Sequence, residues 1–266
     1  MNLIVSLIAA LSASGHAHTA PPVRLAPGLN PRHIRASDPD WIFAENEVTF
    51  SQKQLDAKLN TFTPRSVEKY VLREGDPSRK EVALTFDDGP HPGSTLKLLD
   101  ILREAKVKAS FFVVGFMAEK YPDLISAIQA GGHTIANHSY SHATLSKFPD
   151  EQVLADLQAN NDVIKRITGH TPRYVRPPGG DFSERTLELA ASLGLTTVLW
   201  TDDPGDYANP KDSELISDEL RLLHPGGIIL LHDGSTSTLD TLPQLIKAIQ
   251  KRGYKIVPLD KLRRPH

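Results

Sequence analysis

The sequence predicts an α/β fold in which a parallel sheet is covered by helices. From Val82 onward, short apolar runs alternate with segments whose apolar residues recur at helical spacing. Glycines follow several of the helical segments, where helices commonly end, at Gly131-Gly132, Gly169, Gly194 and Gly253. Continuously apolar strands separated by helices are typical of parallel sheets buried between helices. Seven such units could close as a barrel or remain an open, doubly wound sheet.

The predicted strands are short apolar runs bounded by polar or turn residues. They cover residues 82–86, 109–114, 133–136, 174–176, 196–201, 227–232 and 255–259. The predicted helices lie between them and are marked by apolar or small residues at helical spacing. They are centred on Leu98 to Ala105, Leu154 to Ile164, Leu215 to Leu223, and Leu242 to Ile249.

Polar motifs stand directly after five of these strands, which favours the barrel over the open sheet. They are Asp87-Asp88, His138 with His142, Arg176-Pro177-Pro178-Gly179-Gly180, Asp203-Pro204-Gly205-Asp206-Tyr207, and His232-Asp233. Five strand ends can meet at one point only if the strands surround a common axis. That arrangement is the active face of a (β/α) barrel.

The composition favours one large folded domain and excludes several classes of site. The chain has 266 residues, of which 39% are hydrophobic, and a formal net charge of −2. This charge, without basic runs, gives no indication of nucleic-acid binding. The absence of cysteine excludes disulfides, thiolate catalysis, zinc fingers and iron–sulfur clusters. Any metal must therefore be held by His, Asp or Glu.

Residues 1–20 are predicted to be a secretory signal peptide, so we expect an exported protein that is periplasmic, in the cell envelope or secreted. The apolar run is too short to span a bilayer, and Gly15-His16-Ala17 offers a cleavage site. No Lys or Arg precedes the run, which leaves a buried N-terminal helix or strand as the alternative. No later segment is apolar enough to be transmembrane.

Residues 21–79 are predicted to be an N-terminal extension that wraps the main domain, which covers residues 80–262. The extension is rich in proline and polar residues and has little periodicity, apart from a helical turn or two between Gln54 and Leu59. It contains no group of residues that predicts a chemical role.

The Asp87-Asp88 pair and the two histidines predict a metal site. Two adjacent carboxylates at the end of a buried strand repel each other unless a cation or a proton separates them. One carboxylate and two imidazoles make a metal site with open positions, and the second carboxylate then stands where a base is needed. Each pair could instead have a purely structural role, since aspartates favour turns and histidines spaced by four residues are common.

Arg176 and His232 are the other candidate functional residues. The guanidinium of Arg176 could hold a carboxylate, and the backbone N–H groups of Gly179 and Gly180 could approach a substrate oxygen. His232 ends an apolar strand, where an acid or base would lie, and either Asp203 or Asp206 could orient it. The alternatives are a surface arginine and a structural histidine, and Trp200 is predicted to be a core residue.

These motifs resemble the polysaccharide deacetylases of the NodB homology type, carbohydrate esterase family 4. The resemblance covers residues 80–261, about two thirds of the chain, and rests on four motifs: Thr85 to Pro90, His138 to His142, Arg176 to Gly180, and Leu230 to His232. It implies a distorted, incomplete (β/α) barrel. It also implies one divalent metal ion, with zinc expected first and cobalt, nickel or manganese as alternatives.

The resemblance further implies an activity and a role for each motif residue. The implied reaction removes acetyl groups from N-acetylglucosamine in peptidoglycan, chitin or chitooligosaccharides. By motif position, the resemblance assigns the metal to Asp88, His138 and His142. Asp87 is then the base, paired with Arg176, and His232 is the acid, tethered by Asp206. Leu230 lines the pocket for the acetyl group.

The chain departs from the family pattern at two positions of the substrate groove. Tyr207 stands where the family usually has Trp, and Gly179 stands where it often has Tyr, although its N–H can still donate to an oxyanion. We therefore also expect, as alternatives, an O-acetyl esterase acting on xylan or another ester, a hydrolase of a small amide, or an inactive carbohydrate-binding homologue. The expected partner is an acetylated polysaccharide or oligosaccharide, with no nucleic acid or protein partner and a monomeric protein.

Overall fold

The structure, a computed structural model, describes residues 50–208 and 210–262. The predicted signal peptide and residues 21–49 of the predicted extension lie outside the described residues. No helix in the described ranges is long and apolar enough to cross a membrane.

Within the described residues, eight strands alternate with nine helices. The strands are β1 (Val71–Leu72), β2 (Glu81–Gly89), β3 (Ser110–Val113), β4 (Thr134–Asn137), β5 (Tyr174–Val175), β6 (Thr196–Val198), β7 (Ile228–His232) and β8 (Lys255–Ile256). The helices are α1 (Gln52–Leu59), α2 (Pro64–Tyr70), α3 (Thr95–Glu104), α4 (Gly115–Lys120), α5 (Pro122–Ala130), α6 (Asp150–Thr168), α7 (Glu184–Ser192), α8 (Asp212–Leu222) and α9 (Thr236–Lys251).

The strands form one parallel sheet that curves into an incomplete (β/α) barrel, as predicted. The strand order is β1-β6-β5-β4-β3-β2-β7, and β8 pairs with the start of β2. Between β6 and β7 the described residues form only a single bridge, between Asp202 and Ile229. The backbone N–H of Leu230 donates to the Asp202 carbonyl at 2.9 Å across this gap. Thr201 and Asp202, in the segment that follows β6, therefore supply the backbone contacts with β7.

Several predicted strand bounds differ from the structure. β2 continues past Phe86 to Gly89, because its pairing with β7 extends to the level of Asp87 and His232. β6 ends at Val198 instead of Thr201, and the backbone N–H groups of Thr201 and Asp202 donate to Ile228 of β7. The other strands agree with their predicted positions to within a few residues at their ends. β1 was not predicted, because two residues are too few to show a period.

The strands place alternate residues in two apolar clusters, as the pleat requires. Val82, Leu84 and Phe86 of β2 pack in the cluster shared with the covering helices. Ala83 packs in the second cluster, together with inward-facing residues of four other strands: Phe112, Ala136, Val198, Ile228 and Leu230. This second cluster fills the barrel beneath the strand ends.

The described part of the predicted extension contributes residues to the second cluster. Leu55 and Leu59 of α1 are buried there against residues that include Phe182 and Trp200. The backbone N–H of Phe50 donates to the carbonyl of Gly179 at 3.0 Å. The ammonium of Lys58 lies 2.6 Å from the carboxylate of Asp181, on the other side of the same turn.

Candidate metal and catalytic site

The polar motifs meet at the carboxyl ends of the barrel strands. Six of the predicted site residues line one pocket, together with Trp200: Asp87, Asp88, His138, Gly179, Leu230 and His232. Arg176 and Asp206 contact this group from beneath, through Asp87 and His232 respectively.

Asp87 and Asp88 line the same pocket because β2 is irregular where they stand. The register between β2 and β3 shifts between Phe86 and Gly89, and Asp88 has a left-handed φ of 69°. A bulge of this kind re-aims a side chain. Successive carboxylates can therefore both reach the same pocket.

Asp88, His138 and His142 converge as the metal hypothesis requires. Their ligand atoms all lie within 4.8 Å of one another. Oδ1 of Asp88 lies 3.2 Å from Nε2 of His138 and 2.9 Å from Nε2 of His142. The two histidines follow β4 on a loop and not on a helix, so their spacing reflects a turn of the backbone.

The surroundings of these side chains fit a bound divalent ion. Nδ1 of His138 donates a hydrogen bond of 2.8 Å to the carbonyl of Arg176, which leaves Nε2 with a free lone pair toward Asp88. Burial alone would raise the pKa of Asp88, but the imidazoles of His142 and His138 hold that pKa well below its ordinary value. One carboxylate and two imidazoles are a donor set that suits zinc and similar ions.

Asp87 is held by a buried arginine. Nη1 of Arg176 donates to Oδ1 of Asp87 at 2.7 Å and to the hydroxyl of Thr85 at 2.9 Å. The guanidinium also lies over the ring of Phe112, 4.2 Å from its centroid. Arg176 is fully buried, and burial lowers its pKa while Asp87 opposes that shift. The second oxygen of Asp87 remains on the side of the metal ligands, 3.8 Å from Nε2 of His138.

His232 is tethered by Asp206. Nδ1 of His232 donates to Oδ1 of Asp206 at 2.7 Å, and the backbone N–H of His232 donates to Oδ2 at 2.8 Å. Burial alone would lower the pKa of His232, but the Asp206 carboxylate, with smaller contributions from Asp88 and Asp87, raises it to about 10. Asp203 instead accepts from the backbone N–H of Gly205 at 2.9 Å. Of the two aspartates that the sequence offered, Asp206 therefore contacts the histidine.

The three candidate substrate-binding residues surround these groups. Gly179 lies in a turn with a left-handed φ of 61°, and it lines the pocket with Leu230. The ring of Tyr207 stands edge-on to the imidazole of His232, with centroids 5.7 Å apart. The predicted residues are thus all close to one point.

Three neighbouring residues were not predicted to belong to the site. Trp200 is buried, as predicted, but it also lines the pocket. The hydroxyl of Thr238 donates to Asp206, and Asp233 accepts from the hydroxyls of Ser94 and Thr95 in the segment that follows β2. The position of Asp233 beside His232 at a strand end was the available signal, whereas no local pattern marks Thr238 as a partner of Asp206.

Comparisons with known proteins show which family the chain resembles. The sequence profile of the family described as polysaccharide deacetylase matches residues 74–198. A peptidoglycan-N-acetylglucosamine deacetylase of Bacillus cereus is 35% identical over 205 residues, which are 75% of this chain and 74% of the relative. A chitooligosaccharide deacetylase of a Bradyrhizobium species is 38% identical over 198 residues, which are 69% of this chain and 90% of the relative.

A solved structure shares the fold. The structure described as BA3943, a family 4 pseudoenzyme from Bacillus anthracis, superposes with a TM-score of 0.71 and 27% identity. The superposition covers 77% of this chain and 72% of that one.

Proposed function

This chain belongs to the polysaccharide deacetylase family of hydrolases, and we propose that it is a metal-dependent enzyme that removes acetyl groups from N-acetylglucosamine residues of peptidoglycan or of chitin-type oligosaccharides. The observation that carries the proposal is the convergence of both histidine Nε2 atoms on Oδ1 of Asp88, within 3.2 Å, beside a second carboxylate. The peptidoglycan deacetylase of Bacillus cereus and the chitooligosaccharide deacetylase of Bradyrhizobium support the two substrate classes.

Asp88, His138 and His142 are the residues that would hold the ion, zinc being the first candidate and cobalt, nickel or manganese the alternatives. A bound divalent ion would supply Lewis acidity toward a water molecule and an acetyl carbonyl. The neutral Nε2 of each histidine and the charged Asp88 carboxylate are the forms in which these side chains bind metals.

Asp87 is placed to act as the general base. Its Oδ1 is occupied by Arg176, so its second oxygen is the one available to take a proton from the attacking water. The oxygen of that water forms a bond to the acetyl carbon. The N–H of Gly179 is the backbone donor that we assign to the carbonyl oxygen as its negative charge develops.

His232 is placed to act as the general acid. The bond between the acetyl carbon and the sugar nitrogen breaks readily only if the nitrogen is protonated as it leaves. The raised pKa of His232, about 10, keeps a proton available for that step at neutral pH. Asp206 orients the ring so that Nε2 is the donating atom. The products are acetate and an amino sugar.

Two other functions differ from the proposal in ways that the site can test. An O-acetyl esterase acting on xylan or another glycan would need His232 less, because an alkoxide leaves more easily than an amide nitrogen. A carbohydrate-binding protein without activity is the second alternative, and the family 4 pseudoenzyme shares this fold. Asp87 and His232 line one pocket, and Arg176 and Asp206 contact them from beneath, which favours an active enzyme.

We also propose that the protein is exported, since residues 1–20 resemble a signal peptide and peptidoglycan lies outside the cytoplasmic membrane. Cell fractionation and the intact mass of the mature protein test this. A full-length protein found only in the cytoplasm would contradict it.

The proposed reaction is tested by acetate release from a panel of acetylated glycans. We expect release from N-acetylated chitooligosaccharides or from peptidoglycan, loss of activity with a chelator, and recovery with added zinc. His142→Ala should lose activity under all conditions. His170→Ala changes an exposed histidine outside the candidate site and should keep its activity. Binding of the glycans without acetate release in the presence of zinc would instead support the inactive homologue.

A further inference from the structure

The loop that carries the two histidines has an unfavourable backbone. Ser139 and His142 have left-handed φ values of 62° and 54°. Residues other than glycine rarely adopt this conformation, because it brings Cβ close to the backbone. The loop would relax unless its surroundings hold it, and relaxation would carry Nε2 of His142 away from Asp88.

A buried carboxylate of α6 contacts this loop between the histidines. Oδ1 of Asp156 accepts from the backbone N–H of Tyr140 at 2.6 Å, and Oδ2 accepts from the backbone N–H of Ser141 at 3.1 Å. The hydroxyl of Ser141 also donates to Oδ2. Asp156 is fully buried. One carboxylate therefore receives three hydrogen bonds from two consecutive residues.

Two asparagines on the next turn of α6 extend this contact to the start of the loop. Nδ2 of Asn160 donates to the carbonyl of Ser139 at 2.8 Å and to Oδ1 of Asn137 at 3.0 Å. Nδ2 of Asn137 donates in turn to Oδ1 of Asn161 at 2.8 Å. Asp156 and Asn160 are spaced by four residues, so they lie on one face of the helix.

We propose that Asp156 is a positioning residue of the metal site, which holds the loop so that both imidazoles face Asp88 before an ion binds. The proposal rests on the metal-dependent function proposed above. A buried carboxylate is costly to desolvate, and an apolar residue would serve the core of α6 better. All three groups that donate hydrogen bonds to Asp156 belong to the loop, so its role is to hold the loop in this conformation.

The test is the zinc affinity of the full chain, measured by competition with a chromophoric chelator in the absence of substrate. Asp156→Asn keeps the shape of the side chain but faces the Ser141 N–H with an amide donor. We expect its zinc dissociation constant to rise about 10- to 100-fold, the range seen when partners of metal ligands are lost. Asp162→Asn, an exposed change on the same helix, is the matched control and should bind zinc as the wild type does.

Ser141→Ala serves as the second variant in case Asp156→Asn does not fold. It removes one hydroxyl and leaves both backbone contacts, so we expect a smaller but measurable loss of zinc affinity. Unfolding temperatures measured with chelator present separate a general loss of stability from a loss of zinc binding.

Unchanged zinc affinity in the folded variants would overturn the positioning role alone, even if their unfolding temperatures fall. A wild-type protein that binds zinc but releases no acetate would leave the positioning role intact and overturn the proposed reaction. A wild-type protein that binds none of zinc, cobalt, nickel and manganese would overturn both.

Discussion

Nη1 of Arg176 lies 2.7 Å from Oδ1 of Asp87, with the arginine fully buried beneath the pocket. The contact fixes one oxygen of the carboxylate and leaves the other beside the metal ligands. It also means that Asp87 balances a buried positive charge, so its role in structure and its role in catalysis have to be measured separately.

Replacing Asp87 by Asn should abolish turnover while leaving the metal bound. The amide oxygen can still accept from Arg176, but an amide cannot take a proton from water. We expect acetate release to fall by about 10²–10⁴-fold, the usual effect of losing a general base. Zinc content after dialysis and the unfolding temperature should be recorded with the rate. Activity near that of the wild type would refute the base assignment.

Replacing His232 by Ala should harm amide hydrolysis more than ester hydrolysis. On an N-acetylated chitooligosaccharide we expect a loss of about 10²–10⁴-fold. An aryl acetate has a leaving group that needs no proton, so its hydrolysis should fall much less. His170→Ala serves as the control for a histidine that does not contact the site. An equal loss on both substrates would exclude the acid role.

Replacing Asp206 by Asn should move the alkaline limit of activity to lower pH. The Asp206 carboxylate raises the pKa of His232 to about 10, so in the wild type the acid form is lost only as the pH rises through that value. Without the negative charge the pKa of His232 falls, and the acid form is lost earlier. The measurement is kcat as a function of pH. Asp203→Asn, which removes a carboxylate that does not contact the ring, should shift the profile less.

Substitutions at two glycines distinguish the stability lost through backbone strain from the stability lost through steric crowding. Gly169 and Gly180 both have left-handed φ, of 78° and 70°. A Cβ added at Gly169 meets nothing within 4 Å, whereas one at Gly180 would lie 2.6 Å from Cη2 of Trp200.

Gly169→Ala should cost roughly 1–2 kcal/mol of unfolding free energy, for the backbone alone. Gly180→Ala should cost a further 1–3 kcal/mol or so, because Trp200 must move. Denaturant unfolding of both variants measures the loss of unfolding free energy. Equal losses would show that the Trp200 side chain moves aside without a measurable energetic cost. A lower kcat in Gly180→Ala alone would indicate that the turn at Gly179 moves with it.

Local patterns were enough to predict α3, α6, α8, α9 and most of the strands, whereas no helix was located in advance at α2, α4, α5 or α7. Each of these predictions depends on residues close together in the chain, such as the apolar run of β2 or the glycine that follows α6. Strand ends were less accurate, because the length of β2 depends on its pairing with β7, more than a hundred residues away. β1 was missed for the same reason, since Val71 and Leu72 form a strand only beside β6.

The motif residues of the site could be predicted, including Arg176 and Asp206, but Asp156, which contacts the histidine loop, could not. Asp87, Asp88, His138 and His232 stand at strand ends, where the fold makes position in sequence a guide to position in space. Asp156 lies inside a helix among residues that read as ordinary helix formers. Its importance depends on which loop the helix packs against, and no short-range pattern carries that information.

The hydrogen bond from Phe50 to Gly179 has a practical consequence for anyone who trims this protein for expression. A version that starts at residue 80, where the recognisable motifs begin, would lack α1 and leave Trp200 and Phe182 open to water. It would also remove the hydrogen bond that Phe50 donates to the turn at Gly179, which lines the pocket. A soluble but poorly active product would be the expected outcome, and a safer starting point lies upstream of Phe50.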